Sequence, residues 1–214
     1  ALSSAASDVY KRQVKNIMKD NGVDEKMFPV RAILSAISSC KDSLVTPSEF
    51  LQTAGNDYRQ QTIAKVYQVY QKRLRDADAM DFDDMINYTV KLFKENTDIL
   101  EHYGSKFKYI MVDEYQDTNH AQYELVHLLA SIHGNICVVG DDDQSIYRFR
   151  GATIENILNF EDDYENAHVI RLEQNYRSVG NVLNAANAVI ANNRGRKGKN
   201  LWTEKGDGDL INIY

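Results

Sequence analysis

The chain has 214 residues, 43% hydrophobic and 26% charged, an ordinary globular composition that excludes wholesale disorder and is long enough to bury a core without staples. Its net charge of −6 is unevenly spread: residues 1–80 carry 12 Lys and Arg against 9 Asp and Glu, residues 81–170 carry 6 against 18, and residues 171–214 carry 7 against 4. That distribution argues against a surface that coats nucleic acid uniformly and for a local use of carboxylates in the middle of the chain. No run of about eighteen apolar residues is present, which excludes a membrane-spanning helix, and no signal-peptide layout opens the sequence. Cys40 and Cys137 are far apart and stand alone, so neither a disulfide scaffold nor a cysteine zinc site is expected, and the expected compartment is the cytoplasm.

The first half reads as helices. Val9, Val14, Ile17 and Met18 recur at helical spacing, and Asn21-Gly22 is a stop. Pro29 suits the first turn of a second helix, with Val30, Ile33, Leu34 and Ile37 on one face. Thr46-Pro47-Ser48-Glu49 has the pattern of a capping box with proline at the first helical position. A longer helix follows over 57–76, and its stripe of Ile63, Val66, Tyr67, Tyr70 and Leu74 reads as core. Asp81 then caps a helix through Met85, Ile86 and Val90.

From residue 107 the texture changes. Tyr109-Ile110-Met111-Val112 and Asn135-Ile136-Cys137-Val138-Val139 are short apolar runs that suit buried parallel strands, with a helix over 119–132 between them. A short helix is expected near 153–160, and Val169, Ile170 and Leu172 suggest a third strand. Ser178 is the expected cap of a last helix containing Val182, Leu183, Val189 and Ile190. Alternating strands and helices predict an α/β sheet. The basic, glycine-rich Arg194-Gly195-Arg196-Lys197-Gly198-Lys199 reads as a mobile loop or linker; its spacing is wrong for a phosphate loop. The run Asp209-Leu210-Ile211-Asn212-Ile213-Tyr214 reads as the beginning of a strand.

Both predicted strands end in acidic turns, Asp113-Glu114-Tyr115-Gln116-Asp117 and Gly140-Asp141-Asp142-Asp143-Gln144. Ligands of open α/β sheets sit beyond the carboxyl ends of the strands. Adjacent carboxylates there call for a cation or a water network. Mg²⁺ held by one carboxylate and the phosphates of a nucleotide meets that need, and the next carboxylate can then take a proton from an attacking water. A two-metal nuclease built on Asp113, Glu114 and 141–143 is a rival reading, in which Tyr176-Arg177 has no role.

The run Val112-Asp113-Glu114-Tyr115-Gln116-Asp117-Thr118 resembles motif II of the UvrD/Rep/PcrA helicases of superfamily 1, with PcrA-like members nearest. Val139-Gly140-Asp141-Asp142-Asp143-Gln144-Ser145-Ile146-Tyr147-Arg148-Phe149-Arg150-Gly151-Ala152 resembles their motif III, and Leu172-Glu173-Gln174-Asn175-Tyr176-Arg177-Ser178 their motif IV. Asp81-Phe82-Asp83-Asp84 matches a further signature of the family. The resemblance implies an α/β fold: a mostly helical 1B-like subdomain over 1–80, the later part of a RecA-like ATPase subdomain 1A over 81–192, and a linker with the start of the second motor domain 2A over 193–214.

By the same resemblance, Asp113 would coordinate Mg²⁺ and Glu114 would orient or deprotonate the hydrolytic water. Gln144 would sense the γ-phosphate, Arg177 would contact it, and Tyr176 would stack on the adenine of ATP. Tyr147, Phe149 and Arg150 would face single-stranded DNA; the family commonly has tryptophan where this chain has Phe149, and phenylalanine still stacks on a base for about 1–3 kcal/mol. The parent protein implied is an ATP-dependent 3′–5′ helicase or translocase acting on single-stranded DNA and single-strand/duplex junctions, in repair or replication. The family's phosphate loop and later motifs are not found, so the chain is expected to be a fragment, inactive alone, with an exposed sheet edge open to self-association. The alternative is a non-catalytic module that binds DNA or a partner.

Overall fold

The computed structural model describes residues 2–147, 151–193 and 196–212, with side chains from residue 8 onward. Helices α1 (Leu2–Asp20), α2 (Val30–Asp42), α3 (Pro47–Thr53) and α4 (Tyr58–Asp76) form the first part. Two of the connections are written in capping chemistry, and a third ends on proline. Pro29 sits at the N-cap of α2, one position before the first turn. The Thr46 hydroxyl accepts from Glu49 N while the Glu49 carboxylate accepts from Thr46 N at 2.8 Å, completing the expected box. Asp57 caps α4 through Arg59 N and Gln60 N.

The apolar faces of α1, α2 and α4 close on one another. Val14, Ile17, Met18, Ile33, Ile37, Ile63, Val66, Tyr67, Tyr70 and Leu74 make one buried cluster, so the aromatic stripe of α4 is core. Each large side chain so buried contributes about 1.5–3 kcal/mol.

Helix α5 (Phe82–Glu95) leaves this bundle and packs on α2, on α6 (Thr97–Lys106) and on α7 (His120–Ala130). Asp81 and Asp84 form a second capping box at its start. Strands β1 (Ile110–Val112) and β2 (Ile136–Val138) pair in parallel, Ile110 opposite Ile136 and Val112 opposite Val138, joined by α7 in the expected strand–helix–strand unit. Leu125, Val126, Leu128 and Leu129 of α7 are half-buried, and only Ala121 and Ala130 are fully covered. Short helices α8 (Glu155–Leu158) and α9 (Phe160–Asp163) follow, and α10 (Gly180–Ile190) ends the helical order.

Three expectations are corrected in this region. Residues 169–172 form no strand: Val169, Ile170 and Leu172 are exposed, and a cleft of about 500 Å³ separates the segment from β2. A parallel strand needs a neighbour about 4.8 Å away, and neither side provides one. The N-cap of α10 is Val179, not Ser178, because Asn175 Oδ1 takes the amides of Arg177 and Ser178 into a turn of its own at 2.9 and 2.7 Å. Residues 209–212 are not strand either, and Ile213 and Tyr214 lie outside the described residues.

Candidate functional site

The site grows from the carboxyl ends of the two strands. The bonds from Ile110 N to Asn135 O and from Val139 N to Val112 O carry the ladder to its end, and Tyr115 N then donates to Val139 O at 2.9 Å. The chain turns sharply at Glu114, whose φ of 51° and ψ of 41° place it in the left-handed region. A non-glycine residue there is strained and is held by its surroundings. Here Glu114 N donates to Asp113 Oδ1 at 2.9 Å, Asp117 N donates to Glu114 O at 2.9 Å, and Gln116 Nε2 donates to Glu114 Oε2 at 2.8 Å.

Gln116 is the residue that sequence reasoning undervalued. It is 1% exposed, and its amide joins the two acidic turns: the nitrogen side holds Glu114, and Oε1 accepts from Asp141 N at 2.9 Å. Gly140 makes that approach possible, because a Cβ there would lie 2.6 Å from Gln116 Oε1 and 2.7 Å from Ile157 Cδ1. The signal was present as a glutamine in one turn and a glycine opening the other, but only the fold sets them face to face.

In the second turn, Asp141 Oδ1 accepts from Asp143 N and Oδ2 accepts from Gln144 Nε2 at 2.6 Å, so the Gln144 side chain is oriented by Asp141. The carboxylates of Asp141, Asp142 and Asp143 lie within reach of one ion. Asp141 and Asp143 are already engaged by cations of the chain, and Asp142 by a backbone amide. Arg196 donates to both oxygens of Asp143, at 2.7 and 2.5 Å, and Lys199 Nζ bonds Asp141. Lys197 N donates to Asp142 Oδ2 at 2.8 Å, and its ammonium reaches Glu161 at 2.5 Å. The basic segment expected to be a mobile linker is thus pinned at residues 196–199; Arg194 and Gly195 lie outside the described residues. The Asp141 carboxyl, despite a burial that would raise it, is held below the usual range by Lys199 and Gln144. A metal does not fit this group.

Asp113 is different. Among the described residues its carboxylate makes one hydrogen bond, to its own neighbour's amide, and it is exposed at the end of β1. In the same turn Asp117 Oδ1 is buried with no partner among the described residues, an orphaned oxygen of the kind a cation or its water satisfies. Hard oxygen donors with open positions fit Mg²⁺.

Tyr176 and Arg177 sit on the turn before α10, both exposed, with the Tyr176 hydroxyl donating to Gln174 Oε1 at 2.8 Å. The cleft along β2 is lined by Asp141, Asp142, Gln144, Asn175 and Lys199, but not by Asp113, Glu114, Tyr176 or Arg177. The structure therefore brings Asp113, Glu114 and Gln144 onto adjoining turns linked by Gln116, and leaves Tyr176 and Arg177 on a separate loop. Tyr147 is partly exposed after the second turn, while Phe149 and Arg150 lie outside the described residues.

Residues 2–165 match the UvrD/REP helicase N-terminal domain. The chain belongs to the UvrD/REP helicase family. Residues 170–214 match the UvrD-like helicase C-terminal domain, so the acidic turns lie in the first matched segment and residues 196–199 in the second. This helicase-family chain is 55% identical over 201 residues to the ATP-dependent DNA helicase PcrA of Bacillus subtilis, a match covering 94% of the chain and 27% of that relative. It is 52% identical over 204 residues to the PcrA helicases of Staphylococcus aureus and Staphylococcus epidermidis, covering 95% of the chain and 28% of each. The chain spans little more than a quarter of the length of these curated relatives. Among the described residues no helix is long and apolar enough to cross a membrane.

Proposed function

We propose that this chain supplies the hydrolytic half of an ATP-dependent motor that moves 3′ to 5′ along single-stranded DNA and acts at single-strand/duplex junctions in repair or replication. The observation that carries the reading is the strained, over-determined Glu114 beside the open carboxylate of Asp113, bridged by Gln116 to the turn bearing Gln144. Strain of this kind concentrates where a side chain must be aimed.

In this reading Asp113 holds Mg²⁺, which neutralises charge on the β- and γ-phosphates of ATP when bound. Glu114, pointed by Gln116, orients the attacking water and accepts its proton. Gln144, aimed by Asp141, reads the γ-phosphate. Arg177 presents its planar fork to the same phosphate, and the exposed Tyr176 ring offers a face to the adenine. Tyr147, Phe149 and Arg150 follow Gln144 within a few residues, so contact with DNA and contact with the phosphate share one segment. The proposed division is a 1B-like subdomain over 1–80, the later part of subdomain 1A over 81–192, and the start of 2A over 193–214, working in the cytoplasm.

Positioning is nearly all of phosphoryl-transfer catalysis, and no phosphate-cradling loop with its lysine is found in these 214 residues. The chain alone is therefore expected to be inactive. Mg²⁺·ATP hydrolysis should be measured, with and without single-stranded DNA, on this chain and on a version extended to the length of its relatives. DNA-stimulated turnover in the extended protein alone, falling about 10²–10⁴-fold in Glu114→Gln, is the expected result. Turnover insensitive to Glu114→Gln would remove the assignment. An extended protein that binds DNA without hydrolysing ATP would favour the non-catalytic module.

A further inference from the structure

Residues 196–202 make a continuous set of contacts that neither the motor motifs nor the core accounts for. At one end, Arg196 grips Asp143 through two parallel bonds and Lys199 bonds Asp141, whose other oxygen holds Gln144 Nε2. Arg196 Nη2 also donates to Lys199 O at 3.2 Å, fixing the two cations to each other. These groups are mostly buried: Arg196 and Asp143 are 19% and 11% exposed, Lys199 and Asp141 18% and 24%. Water and salt screen such a cluster less than an ordinary surface pair.

At the other end, the same run docks on the loop that carries Tyr176 and Arg177. Asn200 N donates to Glu173 Oε1 at 3.1 Å, Trp202 N to Glu173 O at 3.0 Å, and Asn175 N to Trp202 O at 2.7 Å. Asn187 of α10 clasps Leu201 from below, its amide donating to Leu201 O at 2.9 Å and accepting from Leu201 N at 3.2 Å. Asn175 in turn shapes the backbone of Arg177 and Ser178. One extended segment thus touches both Asp141, which orients Gln144, and Asn175, which shapes the backbone of Arg177, two residues that also line the cleft along β2.

We propose that residues 196–202 are an electrostatic strap that sets the Gln144 turn and the Tyr176–Arg177 loop relative to each other, with Arg196 and Lys199 as its positioning residues. The strap joins the segment matched by the N-terminal family domain to the one matched by the C-terminal domain, so any relative movement of the two loops must either stretch or release it. The proposal rests on the assignment of Gln144 and Arg177 above, but it is read out without nucleotide and so fails separately from that assignment.

The test is amide exchange and side-chain NMR on the 214-residue chain. Lys199→Met should shift the Gln144 side-chain amide resonance and reduce protection of the Asn175 and Trp202 amides by about tenfold, the scale of one charge-assisted hydrogen bond. Lys199→Arg should restore both, since a cation of similar reach is retained. In a second arm, Arg196→Glu should lose the same protection and the double variant Arg196→Glu with Asp143→Arg should regain it. The pair decides the matter even if a single variant loosens the α1–α4 bundle as well. Asn175 and Trp202 amides that stay protected in Lys199→Met and Arg196→Glu, or losses that the reversed pair does not recover, overturn the strap.

Discussion

Asp42 ends α2 against the segment that follows the second acidic turn. Its Oδ1 accepts from Asn119 Nδ2 at 2.6 Å, and its Oδ2 would lie only 2.4 Å from a Cβ on Gly151, a position with φ of 82° that glycine alone takes without strain. Burial, reinforced by the nearby Asp83 carboxylate and opposed by the Asn119 bond, pushes the Asp42 carboxyl from 3.8 up to about 6. A folded-state value above the unfolded one means that between these two pH values the folded chain holds a proton the unfolded chain has released. Stability from this group is therefore present below the ordinary carboxyl range and lost as pH rises through about 6. Asp42→Asn should remove that dependence while its amide oxygen still accepts from Asn119. The variant should match the parent at pH 4 and exceed it at pH 8 by about 1 kcal/mol, a figure discounted because the site is only half-buried. Urea unfolding at the two pH values measures it, and equal stabilities at pH 8 would show that the charge is relieved by solvent.

Helix α2 is tied to α4 and α5 by a charge that composition does not reveal. Lys41 is 2% exposed, and its ammonium lies 2.6 Å from Asp81 and 2.8 Å from Asp84; Tyr70 of α4 donates to the same Asp81 oxygen at 2.9 Å, and Gln71 donates to Asp84 at 2.9 Å. Asp81 was legible as a helix start, since a cap is local and its partner Asp84 lies only three residues on. Lys41 was not, because its partners are forty residues away and a lone lysine on an apolar helix reads as solvated. The same distinction holds elsewhere. Caps, the core stripe of α4 and the two strands follow from neighbours in sequence, whereas the Gln116 bridge and the clasp of Arg196 on Asp143 depend on contacts 25 and 53 residues apart. The third strand failed for a related reason: Val169, Ile170 and Leu172 have strand composition, but pairing needs a partner, and composition cannot supply one. Lys41→Met should lower stability by about 3–5 kcal/mol, because it leaves two buried carboxylates without their cation. Adding Asp81→Asn and Asp84→Asn should return most of that loss, since the amide oxygens can still cap α5. Chemical denaturation of the single and triple variants checks both steps, and a single variant as stable as the parent would mean that water reaches the cluster.

At the scale of the molecule, the two halves are unequal. The helical bundle closes on a buried apolar core, while the sheet has two strands among the described residues and a bare face carrying Tyr109 and Met111, 79% and 78% exposed. The ladder bonds of Asn135 and Val139 turn towards β1, so by the alternation of a parallel pair the N–H and C=O of Val138 face the other edge, onto the cleft and the exposed Ile170 and Leu172. An unpaired edge flanked by apolar side chains is a template for another strand. We expect the 214-residue chain to self-associate through this edge, with a weight-average mass in sedimentation that rises with concentration. Val138→Pro removes the outward donor without touching a bond to β1, since proline is tolerated where the N–H faces away from the ladder. It should shift the association to higher concentration by about tenfold, the effect of about 1.4 kcal/mol at the contact. If association persists unchanged in that variant, the bare face of Tyr109 and Met111 is the contact instead, and Met111→Lys should abolish it. A mass that stays monomeric at every concentration would mean that the cleft beside β2 shields the edge, which puts the 169–172 segment, rather than a second copy, in the role of its cover.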